Sequence, residues 1–303
     1  MAYPLQERYI NLLTDFGFKR VFGSEPNKQL LIDFLNTLLP ERHRIETLSY
    51  KSTENLGSTQ IDRKAIFDIY CQGENGERFI VALKILEQKA KQNFFKDRSV
   101  FYASFPIQEQ SLRGEWNFKL APVYSIGILD FIFDDHKNEE TIVHTVELKD
   151  QHCNVFYDKL KFIYVELPKF TKTLEQLVSH QDKWLYLLRH LPDLDEQPRP
   201  FQDAVFLQLF EIAEISNFSP DEQDSYQSSL KYYRDLNNVI DTSRQEGLEE
   251  GIEQGIERGI EQGRQAEKIA IARSLLGQLP IETISQTTGL TVAEVEQLRS
   301  DVE

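Results

Sequence analysis

Arg63-Lys64-Ala65-Ile66-Phe67-Asp68-Ile69-Tyr70-Cys71 is followed, after the turn residues Gly73 to Gly76, by Arg78-Phe79-Ile80-Val81-Ala82-Leu83-Lys84-Ile85-Leu86. Both runs are rich in β-branched and aromatic residues, and the glycines between them predict a hairpin. Asp68 is an acid inside an otherwise apolar strand. Burying a carboxylate there is costly unless a cation or hydrogen-bond donors meet it. Two readings follow: an acid that holds a metal ion, or one that pairs with a basic neighbour such as Arg63 or Lys64.

Working outward, strands are expected at Val123 to Phe133, Thr141 to Leu148 and Phe162 to Leu167. A polar helix is expected from Lys89 to Ser104, and further helices at Leu174 to Leu191 and about Pro200 to Glu214, with loop from Asp193 to Pro200. Upstream, Leu5 to Leu39 reads as two helices, the second being Asn27 to Leu39 between Pro26 and Pro40. Between them lies Thr14-Asp15-Phe16-Gly17-Phe18-Lys19-Arg20-Val21-Phe22-Gly23, whose glycines interrupt the pattern. Strands interleaved with helices predict an α/β or α+β core over residues 1–215.

The tail has a different composition. Gly247, Gly251, Gly255, Gly259 and Gly263 recur every fourth residue, interleaved with Leu248, Ile252, Ile256 and Ile260. Period four places the glycines in a slowly turning row on one helix face. Each costs about 1 kcal/mol relative to alanine in a helix interior. Residues 216–267 are therefore read either as a self-association stalk, making a homo-oligomer, or as an acidic linker. Residues 268–303 read as a small helix-turn-helix-like tail, with Gly289 at the turn and Thr291 and Glu294 as a capping box. Its last helix carries Glu294 and Glu296 against Arg299, so packing or partner binding is favoured over DNA reading.

Composition excludes several classes. The two cysteines, Cys71 and Cys153, form no CxxC pair, which argues against a disulfide framework or a zinc ribbon. The start, MAYPLQERY, has no basic region followed by an apolar one, and no stretch approaches the roughly 20 apolar residues of a membrane span. A soluble, cytoplasmic protein with no membrane partner is expected. The net charge of −15 is unevenly spread: residues 1–129 carry 17 basic against 15 acidic side chains, and residues 130–240 carry 11 against 21. Phosphate binding depends on local charge, so the first part of the chain is compatible with DNA. His136, His144 and His152 are eight apart, a spacing that fits no metal-binding helix, and they read as scattered surface or loop residues.

The blocks TDFGFKRVFG, DRKAIFDIYC, KAKQNFFKDRSVFYASFPI, PVYSIGILDF and DKWLYLL resemble the successive blocks of the recombination-promoting nuclease, or putative transposase, family. The resemblance runs over nearly the whole chain and includes the glycine-repeat tail. It implies an α/β, restriction-endonuclease-like PD-(D/E)xK core with a helical C-terminal extension. It also implies cleavage of DNA with Mg²⁺ (or Mn²⁺), in a role linked to mobile elements or recombination. Such cleavage needs acidic oxygens converging on the ion, and a lysine or glutamine beside the attacking water. Asp68 falls on the family's catalytic aspartate, and Asp15 and Lys19 fall on its N-terminal Asp and Phe-Lys block.

The second strand departs from the family, which has Ile-Val-Glu-x-Gln directly before Lys-Ala-Lys-Gln. Counted from the hairpin, Ala82 takes the glutamate's place and Lys84 the Gln/Lys place; counted back from Lys89, Gln88 meets the family's Gln and Glu87 sits one residue off. Four residues are thus inserted. A regular strand leaves Asp68 as the one carboxylate and predicts an impaired site. A bulge or an early helix start would let Glu87 join Asp68 as a metal ligand, with Gln88 or Lys89 assisting.

Overall fold

In a computed structural model, the chain is described at residues 7–50, 66–73, 78–86, 92–110 and 119–300, with the main chain alone at 66–70, 78–86, 92–94, 109, 240, 241, 243 and 244. Six strands form one mixed sheet: β1 (Ile45–Tyr50), β2 (Ile66–Gly73), β3 (Arg78–Leu86), β4 (Val123–Leu129), β5 (Val143–Lys149) and β6 (Val155–Glu166). Their spatial order is β1-β2-β3-β4-β6-β5. The hairpin read from the sequence is present as antiparallel β2 and β3. β3, β4 and β6 run parallel, and β5 returns antiparallel on the edge.

The two faces carry different layers. On one, α1 (Asp15–Phe22), α2 (Lys28–Asn36), α4 (His180–His190) and α5 (Ala204–Ala213) cover Leu48, Cys71, Tyr124, Ile126, Ile128, Ile163 and Val165. Trp184 of α4 sits at the centre of this core among Phe22, Phe34 and Phe206, and its indole N–H donates to Asp33 at 2.7 Å. On the other face, α3 (Gln92–Glu109) packs Phe95 and Ala103 against Leu129, Phe162 and Tyr164.

Two expectations are corrected. TDFGFKRVFG is itself helix α1 rather than a break between helices, and residues 7–13 before it are not helical. Thr14 caps the helix by accepting from Gly17 N at 3.0 Å, so Gly17 lies in the first turn, where glycine does not interrupt a helix. It is required there because an added Cβ would lie 2.2 Å from Asn11 O. The second correction is β1, which the sequence reading missed. A register shift between Ile45 and Thr47 leaves Ile45 and Leu48 buried three apart, so the alternation that reveals a strand is broken.

The chain divides into two compact units, Met1–Ile240 and Asp241–Glu303. Helix α6 (Pro220–Leu275) begins in the first, where Tyr226 and Leu230 are buried and Ser229 accepts from Phe16 N at 3.1 Å. In the second unit, Ala272, Ile284, Leu290, Val295 and Leu298 form a small core between the end of α6, α7 (Ile281–Thr288) and α8 (Val292–Ser300). Gly289 takes the left-handed conformation at the turn, φ 70°, and the capping box of Thr291 and Glu294 forms as expected. No helix among the described residues is long and apolar enough to cross a membrane.

Candidate functional site

The register of β2 and β3 decides what stands beside Asp68. Asp68 pairs with Ala82, and Ile66 pairs with Lys84. The pairing continues into β4 without a shift, from Ala82 with Ser125 through Lys84 with Gly127 to Leu86 with Leu129. β3 is therefore regular across the altered segment, and α3 begins at Gln92 rather than early. Cross-strand partners share a face, so positions 68, 82 and 84 belong to the side covered by α3, along with Ser125, Phe162 and Tyr164. Glu87 and Gln88, and the alternative partners Arg63 and Lys64, lie outside the described residues.

The seat of α3 depends on Gly127. A Cβ there would come within 3.2 Å of both Phe95 Cζ and Tyr164 Cδ1, so a missing side chain lets the helix approach the sheet closely. Lys96 of α3 pairs with Asp135 at 2.7 Å and lies over the Phe133 ring. On α3, Phe95 is thus a buried ring and Lys96 an ion-paired surface lysine, whereas Phe101 is exposed and Arg98 lies against Tyr102.

Asp15 and Lys19 are on α1, in the helical layer against the opposite face. They form an ion pair at 2.8 Å and border a groove with Arg20, Asn27, Ser225 and Ser229. The fold thus puts Asp68 and Lys84 on neighbouring strands and Asp15 and Lys19 in the other layer.

A second polar cluster lies at the ends of the parallel strands. Glu166, the last residue of β6, is 0% exposed. Its Oε1 accepts from Phe133 N at 2.8 Å and faces His136 Nδ1 at 3.0 Å. Its Oε2 is 2.7 Å from Lys169 Nζ and 3.1 Å from His144 Nε2. The two imidazoles stack at 4.0 Å. Burial pushes the Glu166 carboxyl up, but Lys169, the Phe133 N–H and His136 outweigh it and hold the group below its ordinary range. Nearby Asp130, just after β4, is pushed up by burial despite the hydroxyl of Tyr233 and the charge of Arg189.

This cluster corrects the reading of the histidines as scattered. The strand order β4-β6-β5 brings His136 and His144 together, whereas His152 is exposed in the turn between β5 and β6. The signal that could have found Glu166 was the one used for Asp68: an acid closing the apolar run Phe162 to Val165. Among the remaining nucleophiles, Cys71 is buried, which raises its thiol pKa to about 12 and makes it inert.

Searches of curated proteins and of solved structures find no match to the chain. The sequence profile of the PD-(D/E)XK nuclease family transposases matches residues 12–243, a span that takes in all six strands and helices α1 to α5. The chain belongs to the PD-(D/E)XK nuclease family of transposases.

Proposed function

We propose that the chain is a metal-dependent DNA endonuclease of the recombination-promoting type, built on a restriction-endonuclease-like core and impaired in its active site. The observation that carries this reading is the pairing of Asp68 with Ala82 in a regular β3. A second acid belongs where the alanine stands. Asp68 is the metal ligand and Lys84 or Gln88 stands near the attacking water; Glu87 would be a substitute acid only through a bulge beyond Leu86, and Asp15 and Lys19 are the more distant members of the set. The position paired with Asp68 supplies no second carboxylate, and a single acid there fits weak binding of Mg²⁺ or Mn²⁺. When bound, the ion would polarise the scissile phosphate as a Lewis acid.

The second reading is a protein that keeps DNA binding or self-association and has lost cleavage. Plasmid nicking in Mg²⁺ or Mn²⁺, run with Asp68→Ala and with an electrophoretic DNA-binding assay, separates the two. Nicking by the parent, lost in Asp68→Ala, is the expected result. DNA binding by both without nicking favours the second reading. If neither cuts and neither binds, the first reading fails and the second survives only as self-association.

Self-association through the tail rests on a separate observation. Nothing lies within 4 Å of a Cβ built on any of the five repeat glycines, and Leu248, Ile252, Ile256 and Ile260 are each more than half exposed. Five helix-interior glycines cost about 5 kcal/mol relative to alanine, and close packing of a second helix would offset that. Apolar and glycine rows with the same four-residue pitch suit the packing of one copy's ridge into the other's groove, at a crossing angle of about −50°. The parent is expected to sediment as a dimer or larger, and Ile252→Glu/Ile256→Glu as a monomer. A monomeric parent at micromolar concentration would remove the stalk from the proposal.

A further inference from the structure

The geometry points to a second divalent-metal site, selective for Zn²⁺-class ions, at His136, His144 and Glu166. One nitrogen of each imidazole and one carboxylate oxygen of Glu166 all lie within 4.8 Å of one another. Ligands about 2.1 Å from a tetrahedral ion stand roughly 3.4 Å apart, so small movements bring the three onto one ion. They come from three segments: the 3-10 turn Asp134–His136, strand β5 and the end of β6. Two imidazoles with one carboxylate favour zinc over magnesium, which prefers an oxygen-only shell.

The surroundings are those of a supported ligand set. Each carboxylate oxygen of Glu166 takes one fixed donor, Phe133 N–H on Oε1 and Lys169 on Oε2, and one imidazole. The fixed donors hold the carboxylate in place, and the imidazole positions are where an ion would enter. Glu139 Oε2 is 3.8 Å from His144 Nδ1, the ring nitrogen turned away from Glu166; this is beyond hydrogen-bond reach, and a small side-chain movement would be needed to make it the carboxylate behind a ligating histidine. A neutral imidazole that donates to Glu166 becomes a ligand by moving its proton to the other ring nitrogen, so no net charge is lost.

Two features limit the affinity. The rings stack with 16° between their planes, and an ion must lie in the plane of each ring it binds, so one ring has to turn. His136, on its short turn and with 21% of its side chain exposed against 10% for His144, has the room. The ammonium of Lys169 opposes a dication, so binding weaker than at a structural zinc centre is expected.

The test is equilibrium dialysis of the chelator-treated full chain against Zn²⁺, followed by elemental analysis. The parent should retain one zinc per chain, and His136→Gln/His144→Gln should lose it while keeping its circular dichroism spectrum. Asp68→Ala should keep the zinc, which separates this site from the proposed active site. If the double variant misfolds, the d–d absorption of the Co²⁺-loaded parent reports the same ligand set. Absence of zinc from the parent, or its full retention by a folded double variant, overturns the assignment, as does a Co²⁺ spectrum lacking nitrogen ligation.

Discussion

Glu166→Ala is expected to destabilise the first unit by about 3–5 kcal/mol, the range for removing one partner of a buried charged pair. The carboxylate is fully buried, and Lys169, which it neutralises, is 6% exposed in its side chain. Truncation strands that ammonium with Thr141 O, at 3.1 Å, as its remaining described acceptor. It also removes the acceptor of the Phe133 N–H and the partner of two imidazoles. Glu166→Gln should cost less, because one carbonyl oxygen survives. Glu166→Leu/Lys169→Met should cost less than Glu166→Ala, because the stranded charge leaves with its partner. Urea denaturation at constant m-value measures all three. A loss below about 1 kcal/mol for Glu166→Ala, the scale of an exposed pair, would mean that water reaches the cluster. The depressed carboxyl adds a pH dependence: its stabilisation is present above the ordinary carboxylate range and is lost as pH falls through the folded-state value. Glu166→Gln should flatten that acid limb.

The same cluster marks the boundary between what could be read from the sequence and what could not. The β2–β3 hairpin was legible because alternation and a glycine turn are local signals, and the paired strands start and end close to the predicted positions. The pairing of Ala82 with Asp68 was not legible from the turn alone: counting from Gly73 to Gly76 sets Asp68 opposite Val81, whereas Gln72 pairs with Arg78 and shifts the register by one residue. Helix α1 was misread because two glycines were weighed as breakers without regard to position; Gly17 lies under the Thr14 cap and Gly23 follows the last helical residue. His136, His144 and Glu166 were not legible as a group. Separations of eight and 22 residues have no meaning on a helix or a strand, and they become contacts through a sheet order in which β6 comes between β4 and β5. Local chemistry can be read along the chain, but this site depends on the crossover.

Ala82→Glu is expected to raise Mg²⁺-dependent nicking by about 100-fold, equivalent to ~2.7 kcal/mol of the barrier. The substitution turns Ala82-Leu83-Lys84 into acid-x-Lys, the pattern in the family's name, with the new acid paired directly with Asp68 across the antiparallel ladder. Directly opposed residues have Cβ atoms about 5 Å apart, a separation two carboxylates can bridge through one divalent ion. Lys84 shares their face, two residues along the strand, where it can help to position the attacking water. Removing the inserted residues as well would be a poorer repair. Ile85 and Leu86 pair with Ile128 and Leu129, so their deletion cuts into the ladder rather than trimming a loop. The gain should vanish in Asp68→Ala/Ala82→Glu, since one carboxylate is again left alone. A second consequence concerns the metal-free protein. Two acids facing each other repel, so Ala82→Glu should lower thermal stability without metal and regain it as Mg²⁺ or Mn²⁺ is added. A folded Ala82→Glu protein whose nicking rate and metal-dependent melting both match the parent would show that position 82 does not face the metal. The altered second strand would then have to act through its inserted segment.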